Sequence, residues 1–432
     1  MRLPKLLRWF PRRSTFSESA GTARGTPRLT DPSGNLRLSG LLIGHHLHER
    51  AVMSKSDCTF HPSSQRLSIS RLIPFSALLI RATRHRILHA PTFWAEYQRY
   101  WEHPQGVSED LRHKVLLAIG IGSSLYQHGD AAALQRNADL VQQWINAAQI
   151  WLSGLLEKER LDVSGMQVYC LAMLARQVFS SGDTAWVSMG SFIHGAMQVG
   201  LHRDPKHLPA MSILQAELRR RLWATVLELL VQSSLVAGMP PRISLDEFDT
   251  EPPSNVNDDE MDELTAVLQP RAKDTFTDTS IQLAMLDSLP TRLRITQMLN
   301  SLYPERSYPL ALALTAELTS ALQTHTALFA ADSSPATPFH RNYVDYLTRR
   351  FLIPLHFPFA FQARTNQLYH PSHKICLDAA LALVSPLISP EEQDTGGSSL
   401  RLMVIGSGLF RDGIRGAMVV IALALASRKP PL

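Results

Sequence analysis

Cysteine is nearly absent from this chain. Its 432 residues hold three, Cys58, Cys170 and Cys376, all far apart. So sparse a set cannot build a disulfide framework, and it suits a reducing compartment. A binuclear six-cysteine zinc cluster needs thiolates in close CxxC pairs, and only Cys58 stands ahead of the apolar body. Long apolar runs are missing as well. The stretch Ala417–Ala426 near the C-terminus is ten residues, half of the ~20 that a membrane span requires. Alternating apolar and polar residues are scarce, which argues against sheets, and no internal repeat is visible. The opening MRLPKLLRWFPRR is interrupted by Arg8 and closed by Pro11, so it does not read as a secretory signal. Its Arg and Ser content resembles a mitochondrial transit peptide, and a basic leader is the plainer reading.

Charge is unevenly spread. Residues 1–90 hold 15 Lys and Arg against 4 Asp and Glu, while the rest hold 28 against 34. The net charge of +5 therefore hides a basic head and a mildly acidic body. The body has no charge-based reason to bind nucleic acid. Residues 1–75 mix Gly, Pro, Ser and Arg without helical period and read as a basic, mostly disordered N-terminal segment. GHHLHER (44–50) clusters three histidines without a fourth ligand at metal spacing, so it reads as an exposed patch.

Residues 76–432 read as one all-α body of many helices. Leu111, Val115 and Ile119 form one stripe; Leu140, Trp144, Ala148, Trp151 and Leu155 form another, at the spacing of a helix face. GMQVYCLAMLARQVF (165–179) is apolar on all sides, as a central buried helix is. Further stripes are Trp186, Met189, Ile193, Met197 and Gly200, then Leu218, Leu222, Val226, Leu229 and Ser233. Glu217 and Arg221 are expected to pair at i,i+4 on the outer face of the last. Gly238, Pro240 and Pro241 stop that helix. Residues 241–262 are acidic and Pro-rich and read as a long ordered surface loop. Helices resume near Ser280, with breaks expected at Pro290, Pro304, Pro309, the SSPATP loop (333–338) and Pro354. SPEEQDTGGSS (389–399) reads as a second loop, followed by a last helical stretch over about 400–427.

Enzyme signatures are weak. DDEMD (258–262) fits the DDxxD pattern of magnesium-binding terpene cyclases, but no second box follows, and an acidic helix start or surface loop explains it. GSG (406–408), GIGSS (120–124) and HER (48–50) lack the partners their motifs need. Cys170, inside an apolar helix, reads as a small core residue.

Three stretches carry a resemblance: AMQVGLHRDP (196–205), AELRRRLWATVLEL (216–229) and AGMPPRISLDEFDTEPPSNVNDDEM (237–261). In this order they resemble the fungal-specific transcription factor domain, the middle homology region of zinc-cluster regulators. LHFPFAFQAR (355–364) and the helix at Cys376 resemble members found beside secondary-metabolite gene clusters, and the likeness covers about 80–425. The family pattern falls on Gly200, Leu201, His202, Arg203, Asp204, Arg219, Arg220, Arg221, Trp223, Gly238, Pro240, Asp246, Asp249 and Asn255. These are expected to be structural or regulatory. Gly200 suits a left-handed cap, and Trp223 and Leu222 suit the core. The Arg219–Arg221 triplet needs acids, with Asp246, Asp249, Asp258 and Asp259 as candidates, at least one tie being expected.

The resemblance implies a nuclear transcriptional regulator of a biosynthetic gene cluster, not an enzyme, with a ligand- or partner-responsive body. It implies the transcription machinery or a zinc-cluster protein as partner, DNA reached only indirectly, a small-molecule effector, homo- or heterodimers, and no membrane. No cofactor is expected, zinc only if an upstream cluster exists. The alternatives are an all-α enzyme derived from the fold and a co-regulator paired with an intact zinc-cluster protein.

Overall fold

The computed structural model describes residues 86–426, apart from 104–105, 125–129, 158–159, 180–183, 302–306, 331–335 and 389–409. The basic segment 1–75 with GHHLHER and Cys58, the loop 389–399, GSG (406–408), Pro304, the start of the SSPATP loop and the Trp186 side chain lie outside the described residues.

Among the described residues there are thirteen α-helices and no strand, so the all-α expectation holds. They are α1 (Ala90–Glu102), α2 (Glu109–Ser123), α3 (Ala131–Glu157), α4 (Val163–Phe179), α5 (Thr184–Gln198), α6 (Ile213–Ala237) and α7 (Ser280–Asp287). After these come α8 (Leu289–Asn300), α9 (Tyr308–Ala330), α10 (Pro338–Arg349), α11 (Leu352–Gln362), α12 (His370–Ile388) and α13 (Arg411–Ala426).

The most apolar segment sits deepest. In α4 every residue from Gly165 to Ala175 is buried, and α2, α3 and α6 pack around it. The second centre is α6, buried from Arg221 to Leu235 and packed by α4, α5, α7 and α8. Behind it, α11 packs on α12 and α12 on α13. The register of α3 differs by one residue from the expected stripe. Val141, Ile145 and Leu152 join Trp144 and Ala148 inside, whereas Leu140, Trp151 and Leu155 are half-buried.

Both ends of α6 are fixed by local chemistry. The Ser212 hydroxyl accepts from the Gln215 amide, satisfying one of the free first-turn donors. At the far end Gly238 has φ 63°, and the Met239 amide returns to the Ser234 carbonyl at 3.1 Å. The end of α5 repeats this closure. Gly200 has φ 79°, and the Leu201 amide donates to the Ala196 carbonyl at 3.0 Å. Both are glycine-capped helix ends of the left-handed type. A methyl group at Gly238 would meet nothing within 4 Å, so the cost of adding one is purely backbone strain. Gly238→Ala should lower stability by about 1 kcal/mol, measured as a drop in the urea midpoint. An unchanged midpoint would show that the cap is not under strain.

The helices break at the described prolines where breaks are expected, and each of these prolines opens the next helix. Pro290, Pro309 and Pro338 fall in the first two positions of α8, α9 and α10, where a missing N–H costs nothing and the fixed φ is already helical. Pro354 likewise lies in the first turn of α11, while Pro358 sits inside that helix.

Candidate functional site

Most of the family-pattern residues meet where α5, the N-terminal half of α6 and the loop 241–279 come together, whereas Gly238 and Pro240 lie at the other end of α6 and Asp246 is exposed. The turn after α5 places Asp204 fully inside. Its two oxygens accept from Arg220 of α6, Nε at 2.9 Å and Nη2 at 3.0 Å, a bidentate fork. The backbone amides of Lys206 and Glu251 add two bonds at 3.0 Å each. Burial pushes the Asp204 carboxyl up, but Arg220 and the two amides outweigh it and hold the group at about 2. Arg220 also donates to Glu217 at 2.8 Å, and Glu217 accepts from the Ser254 amide and hydroxyl. Asp249 accepts from the Asp204 amide at 2.8 Å, and its own amide donates to the His202 carbonyl. Leu201, buried, accepts from the Thr250 hydroxyl at 2.7 Å through its carbonyl. The turn 200–204, the helix face 217–221 and the loop 249–254 are therefore stitched into one body.

The next residue of α6, Arg221, opens a deeper cluster. Arg221 Nη1 donates to Asp258 Oδ1 at 2.7 Å, and Nη2 to the Thr279 hydroxyl at 3.1 Å. Arg86 pairs with the same Asp258 oxygen and, at 3.4 Å, with Asp278. The other Asp258 oxygen accepts from the Ala90 amide at 2.9 Å, and His89 bonds the Asp258 carbonyl at 2.8 Å. Arg86, Arg221 and Asp258 are all buried. Burial raises the Asp258 carboxyl, yet Arg86 and Arg221 lower it to about 2. Asn255 completes the wall. Its amide donates to the Ala272 and Thr275 carbonyls at 2.8 and 2.9 Å, and its oxygen accepts from the Thr277 hydroxyl at 2.6 Å.

Each member of the triplet thus has its own task. Arg219 donates to the Val199 carbonyl at the end of α5 at 3.1 Å, Arg220 holds Asp204, and Arg221 holds Asp258. Of the four candidate acids, Asp258 alone takes a triplet arginine by direct bond. Asp246 and Asp259 are exposed, and the side chain of Asp249 faces Arg203 at 3.3 Å instead. Glu217 and Arg221 do not form an outer-face pair; both are buried, each with another partner. Trp223 is buried, edge-on to Phe248 at 5.4 Å, with His202 beside it at 6.3 Å. Gly238 and Pro240 end α6 as described.

DDEMD is not wholly a surface feature. Asp258 opens a short 3-10 turn and is buried, while Asp259 and Asp262 are exposed. Asp258 is already committed to two buried guanidinium groups and an amide, and a magnesium ion there would face both cations at close range. Carboxylates held at about 2 do not exchange protons near neutrality, so the clusters act as clasps rather than acid–base groups.

A third clasp, two turns beyond Arg221 along α6, has no linear motif. Arg292 of α8 forks onto Glu228 at 2.8 and 2.7 Å, both buried, and lies over the Phe351 ring at 5.6 Å. Gln232 donates to Glu228 at 2.9 Å and to the Leu347 carbonyl at 3.1 Å. A single acid inside LWATVLELLV (222–231) is the available signal, since a buried charge demands a partner.

Residues 79–327 match the fungal specific transcription factor domain. The chain belongs to this family. The three motif stretches and all three clasps fall inside the matched residues, whereas LHFPFAFQAR (355–364) and the Cys376 helix lie beyond them. Among curated relatives, the transcription factor asR3 of Sarocladium schorii is 44% identical, over 84% of this chain and 46% of the relative. The transcription factor opdR of Penicillium oxalicum is 38% identical, over 79% and 44%. The aspyridones cluster regulator apdR of Emericella nidulans is 32% identical, over 75% and 45%. The chain spans about half the length of the curated relatives it matches. No solved structure matches it. Among the described residues, no helix is long and apolar enough to cross a membrane.

Proposed function

We propose that this chain is the regulatory body of a nuclear transcriptional regulator that controls genes of a fungal biosynthetic cluster. The carrying observation is that the clasped core, from the turn at Gly200 to the loop at Asp258, lies within the family-matched residues. A relative named as a cluster regulator supports the biosynthetic setting. The chain's three cysteines cannot supply a six-thiolate zinc cluster, and Cys170 and Cys376 are buried thiols within helices. On this reading the residues of this chain reach DNA only indirectly, through a zinc-cluster protein or the transcription machinery. The body responds to a ligand or a partner and pairs as a homo- or heterodimer.

Removing the gene from its fungus should change the transcripts of the neighbouring biosynthetic genes, and restoring the chain should reverse the change. Transcripts that keep their parental levels under producing conditions would refute this function.

A further inference from the structure

A cavity of about 400 Å³ opens between α11, α12 and α13, within the range that holds a small organic ligand. Its walls are apolar: Phe357, Ala360, Val420 and Leu423 contribute, and Cys376 closes the floor. Burial pushes the Cys376 thiol up to about 12, so the floor is a neutral, unreactive surface. At the mouth stands Phe361, 62% exposed, an aromatic ring left in water that a guest could cover.

The polar groups at this cavity all have the same sign available to them. Arg364, His370 and His373 line it, and no acidic side chain does so among the described residues. Arg364 is exposed and has no ion pair among the described residues. His370 is also the first residue of α12, which brings the positive end of that helix's dipole to the rim. Elsewhere in this fold Arg220, Arg221 and Arg292 are each matched with a carboxylate. Here no carboxylate among the described residues is paired with Arg364.

We propose that this cavity binds a small amphiphilic anion: an apolar body seated on Phe357 and Leu423, with one acidic group at Arg364 and the α12 terminus. This deepens the ligand-responsive reading of the body, yet it is tested without a promoter. Failure to bind would leave gene control standing, and unchanged transcripts would leave binding standing.

The full chain should bind anilinonaphthalene sulfonate, followed by its fluorescence, more tightly than phenylnaphthylamine, which has the same aromatic body without the sulfonate. Arg364→Gln should weaken the sulfonate by about tenfold, the loss of one charge-assisted contact, and leave the neutral probe nearly unchanged. Phe361→Glu, at an exposed position, should repel the sulfonate in the same selective way. Ala360→Trp should fill the cavity and abolish both. Circular dichroism matching the parent is required of each variant. Because Arg364 and Phe361 are exposed, those two changes decide the question even if Ala360→Trp fails to fold. Equal binding of the two probes, indifferent to Arg364→Gln and Phe361→Glu, would overturn the anionic assignment. Sulfonate binding that a folded Ala360→Trp leaves intact would overturn the site.

Discussion

Asp258→Ala is expected to cost this protein much of its stability, about 3–5 kcal/mol, in a chain whose total is on the order of 5–15 kcal/mol. The reason lies in what remains behind. Asp258 is the shared anion of Arg86 and Arg221, both buried. Its removal leaves two guanidinium groups facing each other without water, and the Ala90 amide loses its acceptor. Asp259→Ala, one residue along and exposed, should stay within about 0.5 kcal/mol. Urea midpoints of the two variants against the parent make the comparison. Equal midpoints would show that the cluster contributes nothing. The same carboxylates set the acid limit. Ordinary aspartates titrate near 3.8, whereas Asp258 and Asp204 are held at about 2 in the fold. Lowered groups stabilise above their unfolded value, so this contribution is complete above pH ~4 and is lost between pH ~4 and ~2.

The pair Glu228–Arg292 should behave non-additively. Glu228→Leu alone leaves Arg292 buried without its carboxylate, and Arg292→Met alone leaves Glu228 buried without its cation. Each single change should cost about 3–5 kcal/mol, while the double replacement, which removes both charges and keeps apolar volume, should lie close to the parent. Thermal midpoints of the four proteins test this. A double variant that falls by the sum of the two singles would show that the groups do not act as a pair.

These clusters also mark where the sequence could be read and where it could not. The glycine caps at 200 and 238 were legible, because a left-handed residue followed by proline leaves few conformations. The burial of 165–179 was legible from an apolar surface all round. The face of α3 was misjudged by one residue because apolar residues stand side by side at each turn, as in Leu140–Val141, Trp144–Ile145 and Trp151–Leu152. Periodicity then fixes the stripe but not which edge faces inward. That the triplet at 219–221 needed acids was clear from charge alone. Asp258 in the acidic loop was legible as one of them, but Asp204 was not, since Arg220 turns back across the bend between α5 and α6. Arg86 and Glu228 were missed because each answers to a residue far away in the chain. The cavity belongs to three helices at once and has no linear signature.

The position of Asp258 also governs the order of events during synthesis. It emerges 168 residues after Ala90, which at bacterial to eukaryotic elongation rates of ~5–20 residues per second is a delay of roughly 10–30 s. Throughout that interval Arg86 is outside the ribosome without its anion, joined by Arg221 only over the last 37 residues, and α1 has no acceptor for its first amide. The first six helices can be complete as polypeptide and still unable to close. Docking of α1 waits for a loop made later, and the nascent chain must keep the apolar faces of α1, α2 and α4 from other partners until it arrives.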